Sequence, residues 1–110
     1  MAGTIKRLAG PAYVSNAAAN IYVPAANLYG VIRHIHLVNK DSSARTLSLY
    51  IGATGGSAGG TEILKDKSIA VADTYDYWSF TRMATTDFLT GIASAASAIV
   101  ITVEGEEYAV

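Results

Sequence analysis

Hydrophobic and polar positions alternate along residues 29–51, which carry the clearest strand pattern in the chain. Two runs rich in β-branched, aromatic and aliphatic residues flank a short polar break at 41–43. Because side chains alternate between the two faces of a strand, Ile35 and Leu37 can share a buried face with Leu47. Asp and Ser side chains bond to nearby backbone and favour turns. The pattern therefore predicts an antiparallel hairpin with a tight connection.

Shorter strand patterns continue through the rest of the chain, with turn residues between them. They cover residues 4–9, 12–14, 20–23, 61–64, 68–72, 74–80, 88–92 and 99–103. Residues 16–20 could form one helical turn, but they are too short to hold a helix alone. This spacing of short strands predicts an all-β fold, an antiparallel β-sandwich of about seven to nine strands that is jelly-roll-like.

The opening segment allows two interpretations. Pro11 cannot donate a backbone hydrogen bond to a ladder, so a strand that contains it belongs at a sheet edge. Residues 1–14 could instead form an N-terminal arm. Size favours a single β-sandwich domain over residues 1–110.

Composition points to contact with other proteins. Hydrophobic residues make up 51% of the chain and charged residues only 15%, against a usual ~25% charged. The absence of cysteine excludes disulfides and thiolate metal ligands. No apolar run approaches the ~18 residues of a membrane span, and no basic cluster is longer than Lys6-Arg7. We therefore expect neither a membrane nor a nucleic acid as partner.

Charge is distributed unevenly along the chain. Residues 1–55 carry a net charge of +4 and residues 56–110 a net charge of −5. The two halves can pair within one folded chain. Alternatively, the two oppositely charged regions can meet neighbouring subunits.

The two histidines, His34 and His36, have the spacing that places both on one face of a strand. A catalytic zinc site usually has three protein ligands and one open position. The chain has no third histidine, and Asp41 falls in the predicted turn. We therefore predict no metal site, and two partly exposed imidazoles beside Arg33 and Lys40.

Other catalytic motifs are incomplete. Five glycines within residues 52–60 predict a surface loop with Gly55 and Gly56 near its centre. This loop is not a phosphate-binding loop, because no lysine follows a glycine in it. Residues 55–59 have the letters of the G-x-S-x-G nucleophile motif, but the motif is incomplete without a strand-to-helix turn around Ser57, and this segment lies in the predicted loop. We predict no catalytic residue and no cofactor site, and thus not an enzyme.

Aromatic residues occur on both faces of the predicted strand 74–80. Only one face of a strand meets the core of a sandwich. We assign Trp78 and Phe80 to the core and expect Tyr75 and Tyr77 to point outward. Tyrosine suits an interface because it buries a large area and keeps one polar group. The alternative is that a loop of the same chain covers these rings. The predicted interface residues are Lys6, Arg7, Gly55, Gly56, Tyr75 and Tyr77.

Two stretches of the chain resemble small virion proteins of tailed bacteriophages. The first is Ile21-Tyr-Val-Pro-Ala with Val31-Ile-Arg-His-Ile-His-Leu-Val-Asn and Leu47-Ser-Leu-Tyr-Ile-Gly. The second is Ser68-Ile-Ala-Val-Ala-Asp-Thr-Tyr-Asp-Tyr with Thr86-Asp-Phe-Leu-Thr-Gly and Ala98-Ile-Val-Ile-Thr-Val-Glu-Gly. The chain is most similar in this respect to capsid decoration, or cement, proteins.

This resemblance implies a β-sandwich that acts without chemistry. A decoration protein would stabilise a phage capsid by bridging neighbouring capsid subunits. Its partners would be the major capsid protein and other copies of itself, as a dimer or trimer. Its place would be the exterior of the capsid, after synthesis in the host cytoplasm. The alternative is a tail or baseplate module that contacts a host receptor or glycan.

Overall fold

The computed structural model describes residues 3–53 and 55–110, which form eight β-strands. The strands are β1 Thr4–Tyr13, β2 Ala19–Tyr22, β3 Leu28–Asn39, β4 Arg45–Gly52, β5 Glu62–Ile69, β6 Thr74–Met83, β7 Phe88–Ala93 and β8 Ile99–Ala109. The described part of the chain contains no helix that could cross a membrane.

The strands form two four-stranded antiparallel sheets. Sheet A has the order β1-β8-β3-β6, and sheet B has the order β2-β7-β4-β5. The sheets thus contain the pairs β1–β8, β2–β7, β3–β6 and β4–β5. This is the pairing of one antiparallel ribbon that is folded over on itself, as in a jelly roll. The predicted all-β, antiparallel β-sandwich of seven to nine strands is confirmed.

The predicted hairpin over residues 29–51 is wrong, because β3 and β4 belong to different sheets. The side chain of Asn39, at the end of β3, is fully buried and directs this crossing. Its amide donates hydrogen bonds to the backbone oxygens of Ser43 and Ile69, both at 2.9 Å. Its oxygen accepts a hydrogen bond from the backbone nitrogen of Asp41 at 2.9 Å. These bonds turn the chain from sheet A into sheet B.

The core lies between the two sheets. Ile35 and Leu37 on β3 pack in one buried cluster with Leu47 and Leu49 on β4. The prediction that these residues share a buried face is therefore correct, although the face is shared across the sandwich and not along a hairpin. Each large side chain buried in this way contributes about 1.5–3 kcal/mol through the removal of apolar surface from water.

Residues Thr4–Tyr13 of the opening segment form β1, an edge strand of sheet A. β1 pairs with β8 from Thr4, opposite Glu107, to Tyr13, opposite Val100. The ladder shifts register around Gly10, where φ is 77°. A Cβ at Gly10 would lie 2.1 Å from the backbone oxygen of Ile101, so only glycine fits.

Two connections differ in detail from their predictions. Residues 16 and 17 form a bend before β2, where one helical turn was predicted. The predicted loop 52–60 is shorter, because Gly52 is still part of β4. The loop is held against β7, since the backbone nitrogen and the hydroxyl of Ser57 lie 3.1 Å from the hydroxyl of Thr90. Thr54 lies outside the described residues.

Candidate functional site

Sheet A presents its most distinctive side chains on the face that points away from sheet B, here called the outer face. Register places residues of all four strands on it. Aromatic and charged side chains dominate this face. The residues of the outer face include Ile5 and Arg7 from β1, Glu104, Glu106 and Tyr108 from β8, Tyr29, Arg33, His34 and His36 from β3, and Asp76, Trp78, Phe80 and Arg82 from β6.

The aromatic strand β6 has the opposite orientation from the one predicted. Trp78 and Phe80 are 73% and 77% exposed and lie on the outer face. Tyr75 and Tyr77 are partly buried and pack against the core. Met83, on the same parity as the tyrosines, is fully buried and anchors the inward face of the strand. The assignment of Trp78 and Phe80 to the core is therefore wrong.

The predicted interface residues occupy separate parts of the molecule. Lys6 and Arg7 lie on β1, whereas Tyr75 and Tyr77 lie on β6 at the opposite edge of sheet A. Gly55 and Gly56 lie between β4 and β5, at the end of sheet B. These residues do not form one site, and their role in an interface stays a prediction.

The two histidines meet a carboxylate from the neighbouring strand. Asp76 on β6 lies directly opposite His36 on β3. One oxygen of Asp76, Oδ1, lies 2.7 Å from Nε2 of His34 and 2.6 Å from Nδ1 of His36. The ligand atoms of all three residues lie within 4.8 Å of one another. This set of donors could hold a metal ion.

A second carboxylate completes the surroundings of His34. Oε1 of Glu104 on β8 lies 3.2 Å from Nδ1 of His34. Desolvation lowers the pKa of His34, but the hydrogen bonds to Asp76 and Glu104 outweigh it, so the pKa is raised overall. The hydrogen bonds from His36 and then His34 hold the pKa of Asp76 below its usual value. The cluster therefore favours a cation at His34 beside two carboxylates.

Trp78 covers one side of this cluster. Its ring stacks on the imidazole of His34, with centroids 4.0 Å apart and planes inclined by 11°. The two residues also line an open groove of about 450 Å³, which runs toward Ile5 and Arg7 on β1. Glu104 forms part of its floor. The groove thus joins an exposed aromatic ring, an apolar side chain and charged groups.

A second network of side chains lies beside the groove. Arg33 donates to Oε2 of Glu106 at 2.6 Å, and its guanidinium lies 5.0 Å from the ring centroid of Phe80. The hydroxyl of Tyr108 also donates to Glu106. Tyr108 in turn stacks on Tyr29, with ring centroids 5.2 Å apart. These contacts hold the arginine and the rings in fixed positions on the outer face.

Two ion pairs join the positively charged first half of the sequence to the negatively charged second half. Lys6 lies 3.0 Å from Glu107, and Arg33 contacts Glu106. Each pair joins a cation of the first half to an acid of the second half. Arg7 has no ion pair within 4.0 Å among residues 3–53 and 55–110.

Four important residues of the outer face were not identified from the sequence: Asp76, Trp78, Phe80 and Glu104. One signal for the orientation of β6 was present. Asp76 and Arg82 lie on the same face of the strand as Trp78 and Phe80. A strand face with two charged residues is more often exposed to solvent than buried in a core. The proximity of Asp76 and Glu104 to His34 depends on strand register, which the sequence pattern does not specify.

No protein-family model matches this sequence, and no curated protein matches it. Among solved structures, the chain is similar to a protein of Bacillus endospore appendages, which form disulfide-linked pili. The TM-score is 0.54 with 16% identity, over 100% of this chain and 92% of the other. This likeness supports the fold.

Two structures of a pentameric capsid protein from metagenomic phage sequences also align. Their TM-scores are 0.33 and 0.31, each with 17% identity, over 94% of this chain. The alignments span only 64% and 59% of those longer chains.

Proposed function

We propose that this protein is a non-enzymatic structural subunit of a phage virion. In this role it decorates the exterior of the capsid and stabilises it by bridging neighbouring capsid subunits. The resemblance of its sequence to small virion proteins supports the biological setting. The outer face of sheet A supports the mode of action.

The exposure of Trp78 and Phe80 is the observation that carries this proposal. Both rings are more than 70% exposed on one face of β6. Ile5, at the opposite edge of the same face, is 84% exposed. Large apolar side chains that share one exposed face mark a surface for contact with a partner.

The chemistry around these rings fits a protein partner. Interfaces are enriched in aromatic residues and arginine, and the energetically dominant positions are often tryptophan, tyrosine or arginine. The outer face combines Trp78 and Phe80 with Arg7, Arg33 and Arg82. Arg33 is held by Glu106, so less side-chain entropy is lost when a partner covers it. We assign this face to the major capsid protein.

Binding to empty shells of the cognate major capsid protein tests this assignment. Truncation of Trp78 or Phe80 to alanine removes a ring from the contact, so we expect binding to weaken by about 1–3 kcal/mol each. Val71→Ala is the matched control, since Val71 is 49% exposed but lies in the turn between β5 and β6. Melting temperatures of all variants show whether the fold is kept. Wild-type binding by both ring variants would contradict the assignment.

Self-association to a dimer or trimer is a separate part of the proposal. β6 is an edge strand of ten residues, and an edge strand offers backbone groups that can pair with another chain. Without cysteine, copies of this chain cannot be joined by disulfides. Sedimentation velocity over a range of concentrations should show a dimer or trimer. A monomer throughout that range would remove self-association from the proposal and leave capsid binding to be judged by the shell assay.

The groove beside Trp78 favours a second candidate function, a tail or baseplate module that contacts a host glycan. Sugar rings stack on exposed aromatic rings, and their hydroxyls bond to charged side chains such as Arg7 and Glu104. A glycan array with the purified protein separates the two functions. Specific glycan binding that Trp78→Ala abolishes, together with no binding to shells, would favour this candidate.

A further inference from the structure

We propose that His34, His36 and Asp76 bind one divalent transition-metal ion, such as Zn²⁺. The sequence predicts no metal site, because it shows two ligands on one strand and no obvious third. The structure supplies the third ligand from β6, 40 residues further along the chain than His36 and directly opposite it. This site does not depend on the virion role proposed above.

The donor atoms suit such an ion. Two imidazole nitrogens and one carboxylate oxygen are a set that zinc and its neighbours in the first transition row accept. Three protein ligands leave at least one coordination position for water or a further group. The cluster is open to solvent, since the side chains of His34, His36 and Asp76 are 16%, 39% and 40% exposed. An ion can therefore enter without rearrangement of the fold.

The distances require only a small local adjustment. Ligand atoms around a tetrahedral ion lie roughly 3.4 Å apart when each metal–ligand distance is about 2.1 Å. The two nitrogens now lie 2.7 and 2.6 Å from Oδ1 of Asp76, which are hydrogen-bond distances. A rotation of the exposed Asp76 side chain can supply the difference. The two histidines stay fixed on a central strand that pairs on both sides.

The contacts of the cluster also suit a metal ion. Three ring nitrogens face carboxylates: both nitrogens of His34 and Nδ1 of His36. Nε2 of His34 and Nδ1 of His36 converge on the same oxygen of Asp76. An ion between these three atoms would take the place of the two hydrogen bonds and bring positive charge to the carboxylate.

Glu104 has the position of an outer partner to this site. It lies 3.2 Å from Nδ1 of His34, so that an N–H at Nδ1 can donate to it and leave the lone pair of Nε2 free for the ion. Carboxylates that fix a ligating imidazole in this way commonly change metal affinity by about 10–100-fold. Glu104 is thus a positioning residue for the ion and not a ligand.

Isothermal titration of tag-free protein with ZnCl₂ near pH 7.5 tests the proposal. We expect one Zn²⁺ per chain and a rise in melting temperature, because the ion binds the folded state. Trp78 is the only tryptophan and stacks on His34, so its emission should change with the same stoichiometry. Absence of saturable binding at millimolar Zn²⁺ would overturn the proposal.

Single variants locate the ion. His36→Gln and Asp76→Asn each remove a ligand and should abolish the stoichiometric binding, whereas Glu104→Gln should weaken it by about 10–100-fold. Asp73→Asn is the matched control, because Asp73 precedes the same strand and its side chain accepts a hydrogen bond only from the backbone nitrogen of Thr74 among the described residues. Melting curves identify any variant that fails to fold. If one of the two ligand variants, His36→Gln or Asp76→Asn, is unfolded, zinc binding by the other tests the site. Undiminished binding by Asp76→Asn would place the ion elsewhere and overturn the site.

Discussion

The imidazole of His34 lies flat on the indole of Trp78, with ring centroids 4.0 Å apart. A protonated imidazole gains from this contact, because the face of an indole attracts a cation. Glu104 and Asp76 face the two ring nitrogens, and His36 shares Asp76 with it. The protonation of His34 therefore links three strands of sheet A.

The first prediction concerns the pH dependence of Trp78 emission. Burial lowers the pKa of His34, but the bonds to Asp76 and Glu104 raise it above 6.5 overall. An imidazolium quenches indole fluorescence, so emission should increase as the pH rises through this raised pKa. The stabilisation from the charged His34 is complete below pH 6.5 and is lost over the same rise.

The measurement is emission from pH 5 to pH 9 in metal-free buffer. His34→Gln should give a flat curve, whereas His36→Gln should keep the step. A midpoint below 6.5 in the wild-type protein would contradict the raised pKa.

The second prediction separates the two faces of β6. Trp78→Ala should reduce the free energy of unfolding by only about 1 kcal/mol, because the ring is 73% exposed and mainly loses its stack on His34. Tyr77→Ala should cost about 2 kcal/mol or more, since Tyr77 packs against the core. Urea unfolding of both variants gives the comparison. A larger loss for Trp78→Ala would mean that the orientation of β6 is inverted.

The sequence predicted the class of fold because alternation and turn residues depend on local chemistry. It did not predict which strands pair, since a five-residue connection can join a hairpin or cross between sheets. Asn39 was the available clue. It lies on the same inward face of β3 as Ile35 and Leu37. A buried side-chain amide needs hydrogen-bond partners, and a bend of the chain between the sheets supplies them as backbone groups.

The cluster of His34, His36 and Asp76 and the rest of the outer face could not be predicted from the sequence for a different reason. An extra residue at Arg33 shifts the ladder between β3 and β8, so Ile32 and Ile35 both face the core. Strict alternation therefore misplaces every contact on one side of that bulge. The position of Asp76 beside two histidines depends on this register, which forms only when the sheet assembles.

The third prediction concerns Gly105 on β8, which pairs with Ile32 on β3. A Cβ at this position would lie 2.0 Å from the backbone oxygen of Val31. Gly105→Ala should therefore push the two strands apart and cost about 2–3 kcal/mol of unfolding free energy. Gly59→Ala is the control, because a Cβ at Gly59 would have no atom within 4 Å; it should change stability by less than about 0.5 kcal/mol. Equal melting temperatures for the two variants would contradict this packing.

The last prediction concerns the bond that joins the two sheets at Tyr22. Its hydroxyl donates to Oε2 of Glu107 at 2.5 Å, and Lys6 donates to the other oxygen at 3.0 Å. The bond from Tyr22 is the main reason that the pKa of Glu107 is lowered below 4.5; burial opposes this and Lys6 adds to it. Because the folded pKa is the lower one, this stabilisation is present above pH 4.5 and is lost as the pH falls through the folded value.

Tyr22→Phe removes the donor and keeps the ring, so it should cost about 1.5 kcal/mol of unfolding free energy near pH 7. The difference from the wild-type protein should shrink between pH 7 and pH 3, as the pH falls through the lowered pKa of Glu107 and protonation removes the charged form that the hydroxyl stabilises. Tyr50→Phe is the matched control, because Tyr50 is also buried but its hydroxyl donates no hydrogen bond to a carboxylate among residues 3–53 and 55–110. Urea unfolding at both pH values measures the effect. If the loss from Tyr22→Phe is the same at pH 3 and pH 7, the hydroxyl does not stabilise the charged form of Glu107, and the ring alone joins the sheets at this point.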